Sequence, residues 1–103
     1  MKRTAEDKRW SGEVRARDGW SCRRCGRYFT EGRRGGLDAH HIFTRGRGST
    51  KTDVENGVAL CFGDHMWAHA NPLEFHEWMK AELGALAYDA LQQRSRVLKR
   101  TGT

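Results

Sequence analysis

Several things on which a small stable domain normally relies are scarce in this sequence. It has a single proline, three cysteines and an apolar fraction of 37% over 103 residues. No stretch approaches the ~18 apolar residues that a membrane span requires, so no membrane association is expected. Three cysteines cannot pair completely, and no apolar leader segment opens the chain. Together these features lead to the expectation of a reducing cytoplasm, with thiolates holding metal rather than each other. Twelve glycines raise the entropy cost of ordering the backbone. A chain of this size with so little apolar material is one domain, residues 1–103, and it needs a staple beyond its core. With disulfides set aside, the staple that remains is a metal.

Negative charge is also thin where positive charge is dense. The net charge is +6, and Arg23, Arg24, Arg27, Arg33, Arg34, Arg45, Arg47 and Lys51 crowd the stretch around the cysteines and histidines. Glycines lie between them. Such a surface suits the phosphate backbone of double-stranded DNA, with Arg45, Arg47 and Lys51 as candidate contacts. By itself, a basic patch is equally well read as a solvated face.

The apolar spacing divides the chain in order. Met1 to Lys8 is polar and expected to fray. Lys8 to Arg17 carries Trp10, Val14 and Arg17 at helical spacing, ending near Asp18-Gly19. WSCRRCGRYF reads as a cysteine turn, with Gly26 following the second thiol. Thr30 to Gly36 reads as a loop. Leu37 to Phe43 reads as a strand, with Leu37, Ala39, His41 and Phe43 on one face and Asp38, His40 and Ile42 on the other. RGRGSTKTDVENG is a loop closed by a turn, and Val58 to Cys61 is a second strand. Asp64 to Ala70 is then a helix. Asn71, Pro72 and Glu74 mark another helix start. Leu73, Trp78, Met79, Leu83, Leu86 and Leu91 form an apolar stripe, with a break at Gly84. The C-terminal segment, about 73–100, is thus one or two amphipathic helices covering the core. The fold class is α+β.

Two constellations carry chemistry. Cys22-x-x-Cys25 places two thiolates where they can grip one tetrahedral zinc, and Cys61 supplies a third from the second strand. A fourth ligand comes from either Asp64 or His65; Asp64 is preferred, because it leaves His65 to the histidine set, although the residues alone leave the choice open. Structural zinc here would close the chain across the residues between Cys25 and Cys61. In the other constellation, His65 and His69 stand at i and i+4, so both rings share one helix face. With His40 they make a three-histidine site for a divalent ion (Mg, Mn, Ni or Zn), leaving positions open for water or a phosphate oxygen. His41 faces away from His40 and is suited to act as a base, because a neutral imidazole can take a proton from attacking water. His76 lies outside both clusters and reads as structural.

These residues carry a resemblance. DAHHI, then Asn56 fifteen residues after His41, then His65 and His69, resembles the HNH nuclease motif of the ββα-metal (His-Me finger) fold, in the fuller form seen in colicin-type nuclease domains. RDGWSCRRCG and NGVALCFGDHMWAHANP look more like the small zinc-containing HNH endonucleases of phage and prophage genomes. The likeness runs from about Trp10 to Pro72. It implies a metal-dependent DNA endonuclease in which His41 is the general base and His40, His65 and His69 hold the catalytic ion. Asn56 would orient the base or touch the metal, although Asn56-Gly57 is also a good turn dipeptide. Products of the family carry 5′-phosphate and 3′-hydroxyl ends. By analogy alone, a phage packaging motor is a possible partner. Relatives of the phage type have a fourth cysteine where this chain has Asp64.

The alternative is a non-catalytic zinc module that binds nucleic acid and has no use for His41 or Asn56. A zinc nucleobase deaminase is excluded, because it needs His-x-Glu followed by Pro-Cys-x-x-Cys.

Overall fold

Thr4 starts the first helix. Its hydroxyl accepts from the Asp7 N–H at 3.0 Å, while the Asp7 carboxylate accepts from the Thr4 N–H at 3.2 Å. This reciprocal cap satisfies two donors that the first turn would otherwise leave open, so α1 runs Ala5–Arg17 and begins before Lys8, where fraying was expected to end. The computed structural model describes residues 4–30, 36–43 and 52–96. Among these the chain is α+β, with four helices and one two-stranded antiparallel sheet.

The sheet pairs β1 (Leu37–His41) with β2 (Gly57–Cys61), in a register that sets His40 opposite Val58 and His41 opposite Gly57. A single turn of 3-10 helix, Val54–Asn56, leads into β2, where the sequence predicts a turn. β2 passes directly into α2 (Phe62–Ala70). One face of the ribbon is covered by α1, with the Trp10 indole stacked on the His41 ring. Gly57 permits this approach: a Cβ there would lie 2.6 Å from Val14 and 2.7 Å from Trp10. The C-terminus of α1 is tied to the same ribbon, since Arg17 donates to the carbonyls of Val54 and Gly57, at 2.8 Å each. Asp18 accepts from the Ala59 N–H at 2.9 Å.

The other face packs against α2 and α3 (Pro72–Leu83), and α4 (Ala85–Ser95) lies against α3. Leu37, Val58, Leu60, Phe75, Met79 and Leu91 are buried in this core. The predicted break falls where expected, at Gly84 with φ +89°, giving two C-terminal helices. The predicted stripe is only partly right, because Leu73 and Leu86 are 81% and 89% exposed. Phe75 and Met79, one turn apart, fix the inward face of α3, and Leu73 falls off it. The left-handed residue at Gly84 then resets the phase of α4, which buries Tyr88 and Leu91 instead.

Two further expectations fall short for local reasons. Asn71 stands at the N-cap of α3, as the helix start predicted, but its side chain makes no cap bond there; its amide donates to the Trp67 carbonyl at 3.0 Å and closes the end of α2. Phe43, expected beside His41, packs its ring against His76 and Tyr88, because β1 ends at His41 and strand alternation no longer applies. His76 has a structural place, with Nδ1 lying 3.0 Å from the Tyr88 hydroxyl. No helix of the described residues is long and apolar enough to cross a membrane.

Candidate metal centres

Helix α2 divides its first turn between two clusters. Cys61 caps the helix, its sulfur 3.4 Å from the Asp64 N–H, and this places the Asp64 side chain over the cysteine turn. His65, about 100° further round the helix, points away from the thiols towards His40 and His69. The ligand choice left open by the sequence thereby falls on Asp64. Cys22, Cys25, Cys61 and Asp64 bring one ligand atom each to within 4.8 Å of one another.

The knuckle that presents the cysteines is built for close approach. Cys22 donates its N–H to the Arg27 carbonyl at 2.9 Å, and Arg23 donates its N–H to Ala59 of β2 at 2.9 Å. Gly26, at φ +82°, makes the left-handed turn after Cys25. Bonds of about 2.3 Å to sulfur and 2.0 Å to oxygen at tetrahedral angles require edges of roughly 3.5–3.8 Å. Two of the observed separations match that cage, Cys25 to Cys61 Sγ at 3.9 Å and Cys61 Sγ to Asp64 Oδ2 at 3.5 Å, while Cys22 Sγ to Asp64 Oδ2, at 3.1 Å, is shorter than an edge. The cluster can hold a metal ion such as zinc. Burial pushes the Cys22 thiol up to about 12 and raises that of Cys61. Burial also acts to raise Asp64, but hydrogen bonds with Cys22, Arg24 and Cys61 outweigh it and leave the carboxyl below its ordinary value. Any cation binding here must displace protons from the thiols.

The second cluster joins His40 of β1 to His65 and His69 of α2, again with one ligand atom each within 4.8 Å. His40 Nδ1 lies 3.1 Å from His65 Nδ1, and His65 Nε2 lies 3.2 Å from His69 Nε2. Tetrahedral nitrogen edges are roughly 3.3–3.4 Å, but the two contacts use different nitrogens of His65, so only one of them can be an edge around a single ion. The His65 ring presents a different nitrogen to each neighbour, so the rings also suit a hydrogen-bonded chain. Burial, then the charges of His65 and His69, lower His40 to about 3. His65 is lowered mainly by burial, against an opposing pull from Asp38. Both rings are thus held in the neutral form that binds metal. Burial within a fixed wall of side chains distinguishes His40, whose ring meets Phe75 edge-on at 4.7 Å.

His41, on the α1 face, stacks on Trp10 with ring centroids 3.9 Å apart and planes 11° from parallel. The Trp10 indole N–H is itself anchored to the Asp53 carbonyl at 2.8 Å. Asn56 is fully buried. Its Oδ1 accepts from the Phe43 N–H at 2.8 Å, its Nδ2 donates to the Phe43 carbonyl at 3.1 Å, and its own carbonyl accepts from the Ile42 N–H at 3.1 Å. Asn56 therefore clamps the backbone immediately after His41. Arg45, Arg47 and Lys51 lie outside the described residues, as do Arg33 and Arg34.

Sequence reasoning missed two residues of this region. Trp10 was assigned only to a helix face, because stacking across the chain leaves no local pattern. Arg24 was counted with the basic surface, yet its guanidinium lies 2.8 Å from Asp64 Oδ1 and 3.6 Å above the Trp67 ring. Asp64 itself was the available signal, because a carboxylate half-buried among thiols calls for a cation. Compared with protein-family models, with curated proteins and with solved structures, the chain matches none.

Proposed function

We propose that this chain is a metal-dependent endonuclease that hydrolyses phosphodiester bonds in DNA, as its resemblance to the HNH nucleases implies. The observation that carries the reading is the convergence of His40, His65 and His69 from a strand and the helix that follows its partner. The adjacent His41 sits on the other face of that strand, against a rigid aromatic. A thiol cluster can account for a structural metal, but it gives no reason for a second nest of three imidazoles.

In this reading His40, His65 and His69 would hold a divalent ion (Mg, Mn, Ni or Zn), which supplies Lewis-acid stabilisation of charge on the phosphate and leaving oxygen. His41 accepts the proton of the attacking water, and the flat Trp10 surface restricts the ring to one plane, which lowers the entropy lost on reaching the reactive arrangement. Asn56 acts through the backbone, holding the end of β1 and with it the position of His41. The +6 charge favours a polyanionic substrate through phosphate contacts, which confer affinity without sequence preference.

One observation favours the rival, a zinc-stabilised module that binds nucleic acid without cleaving it. The described contacts of Asn56 and the stack on His41 are those a purely structural role would also make. His41→Ala separates the readings, with plasmid nicking measured beside DNA binding in magnesium, manganese, nickel or zinc. The nuclease reading expects nicking to fall by about 10²–10⁴-fold, the usual contribution of a general base, with binding retained. Unchanged nicking would remove His41 from the mechanism, and absence of nicking by the wild-type protein with every ion would leave the rival.

A further inference from the structure

The geometry points to Arg24 as a positioning residue for the thiol-rich metal site: it ties one oxygen of Asp64 so that only the other faces the metal. This goes beyond the nuclease reading and stands without it, because it concerns the knuckle alone.

The two oxygens of Asp64 are sorted by their neighbours. Oδ2 faces Cys22 Sγ at 3.1 Å and Cys61 Sγ at 3.5 Å, whereas Oδ1 lies 2.8 Å from Arg24 Nη1. A thiolate offers a metal one donor atom, but a carboxylate offers two and can swing between one-oxygen and two-oxygen binding. Occupying Oδ1 with a guanidinium removes that freedom, so the carboxylate acts as a single donor at the fourth corner of a tetrahedron. Arg24 is in turn fixed by the Trp67 ring, 3.6 Å below its guanidinium. Stacking on an aromatic face and a planar fork towards carboxylate are both properties of Arg that Lys lacks.

The parts lie close together in the chain. Arg24 occupies the x-x of Cys22-x-x-Cys25, and Trp67 stands one turn along α2 from Asp64. The knuckle that offers two thiols therefore also offers the clamp, and the helix that offers the carboxylate also offers the platform. Three thiolates and a carboxylate carry four negative charges against a divalent ion, and the Arg24 cation offsets part of the excess. The Arg24 side chain is 38% exposed and that of Asp64 13%, so the clamp lies at the rim of the site with its carboxylate inside.

The test is a double-mutant cycle on zinc affinity, measured by competition with a chelating indicator, with cobalt(II) spectra as a second readout. Arg24→Ala is expected to weaken zinc binding by about 10–100-fold, the usual effect of removing a partner of a metal ligand. Cobalt(II) bands in the visible should weaken as coordination expands beyond four. In the Asp64→Cys background no carboxylate remains to be sorted, and the same Arg24→Ala change should leave the spectrum unaltered and cost much less affinity, only the part owed to charge. Equal losses in both backgrounds would overturn the proposal, since Arg24 would then act through the turn itself. No loss in either background would overturn it as well. Arg24→Lys, which keeps the charge and the fold, should recover only part of the affinity. Full recovery would refute the role of fork and stack. Far-UV circular dichroism of the zinc-loaded variants verifies that each is folded.

Discussion

Two ligand clusters grow from one nine-residue helix, α2, and they are built for different ends. The sulfur cluster ties together the cysteine turn, the end of β2 and the start of α2, three segments far apart in sequence. Its four donor atoms lie within 4.8 Å of one another, enough donors to fill a tetrahedral shell by themselves. The imidazole cluster joins only β1 to α2, which are also held together by the β1–β2 ladder and by Phe75 beneath them. Its three donors leave coordination positions free, and His69 is exposed. A closed set stabilises the fold, whereas an open set can engage a ligand. The contrast predicts that a metal held at the first site would be part of folding, whereas one held at the second would be added to a fold already made.

The strongest attempt to break this contrast is loss of the first metal. Cys25 is exposed, so Cys25→Ser removes a ligand without burying a new hydroxyl. A structural metal ordinarily contributes several kcal/mol to folding, and a domain of this size loses roughly 4–8 °C per kcal/mol. Thermal melts should therefore fall by tens of degrees in the variant, or on adding a strong chelator to the wild type. The mirror experiment is His69→Ala. It should leave the melt of the zinc-loaded protein nearly unmoved while reducing nicking by about 10²-fold or more. A large drop in melting temperature for His69→Ala, or a small one for Cys25→Ser, would erase the distinction drawn above.

A moderate effect is expected at Asn56, which serves the imidazole side only through the backbone. Asn56→Ala leaves the partly buried N–H and C=O of Phe43 without these partners, and a fully buried group left so costs about 1–3 kcal/mol. Denaturant melts should show a destabilisation of roughly 2 kcal/mol or more. DNA cleavage should fall with it, since the backbone after His41 loosens. Asn56→Asp, which restores only the acceptor, should recover part of the stability. If the Ala variant melts like wild type, the clamp on β1 is not real.

How much of this is legible in the sequence depends on whether the determining contacts are local. Both clusters can be read from spacing, because Cys-x-x-Cys and an i, i+4 histidine pair are set by a single turn of chain. The strand–strand–helix order is equally legible from alternation and from Asn56-Gly57. The choice between Asp64 and His65 is not, since neighbours on a helix differ by about 100° and only the docking of α2 decides which faces the thiols. Leu73 and Leu86 mislead for the same reason: being apolar and roughly in phase does not say which face a helix presents. Trp10 on His41 and Arg24 on Asp64 are contacts across 31 and 40 residues, and no local pattern encodes them. The thiols themselves are legible, but the cation that sorts the carboxylate beside them is not.

The smallest expected effect, a pH slope, sharpens the account of the imidazole side. His40 is lowered to about 3 by burial first, and then by the charges of His65 and His69 on α2, of His41 on its own strand and of His76 on α3. In the unfolded chain the same ring binds its proton near 6.5. Between those two values the unfolded state binds more protons than the folded one, so stability falls as pH falls. Above about 6.5 the ring is neutral in both states and contributes no slope. Acid also reprotonates the thiols and releases metal from the knuckle, so an acid slope in the wild type alone would be ambiguous. The difference between wild type and His40→Phe isolates the imidazole, because the thiols are the same in both. Denaturant melts at pH 7, 6 and 5 should show a shallower loss in the variant. Equal slopes would mean that His40 takes up its proton freely within the fold. The pocket would then be wet, and the contrast with the buried, proton-holding thiols would weaken on that side.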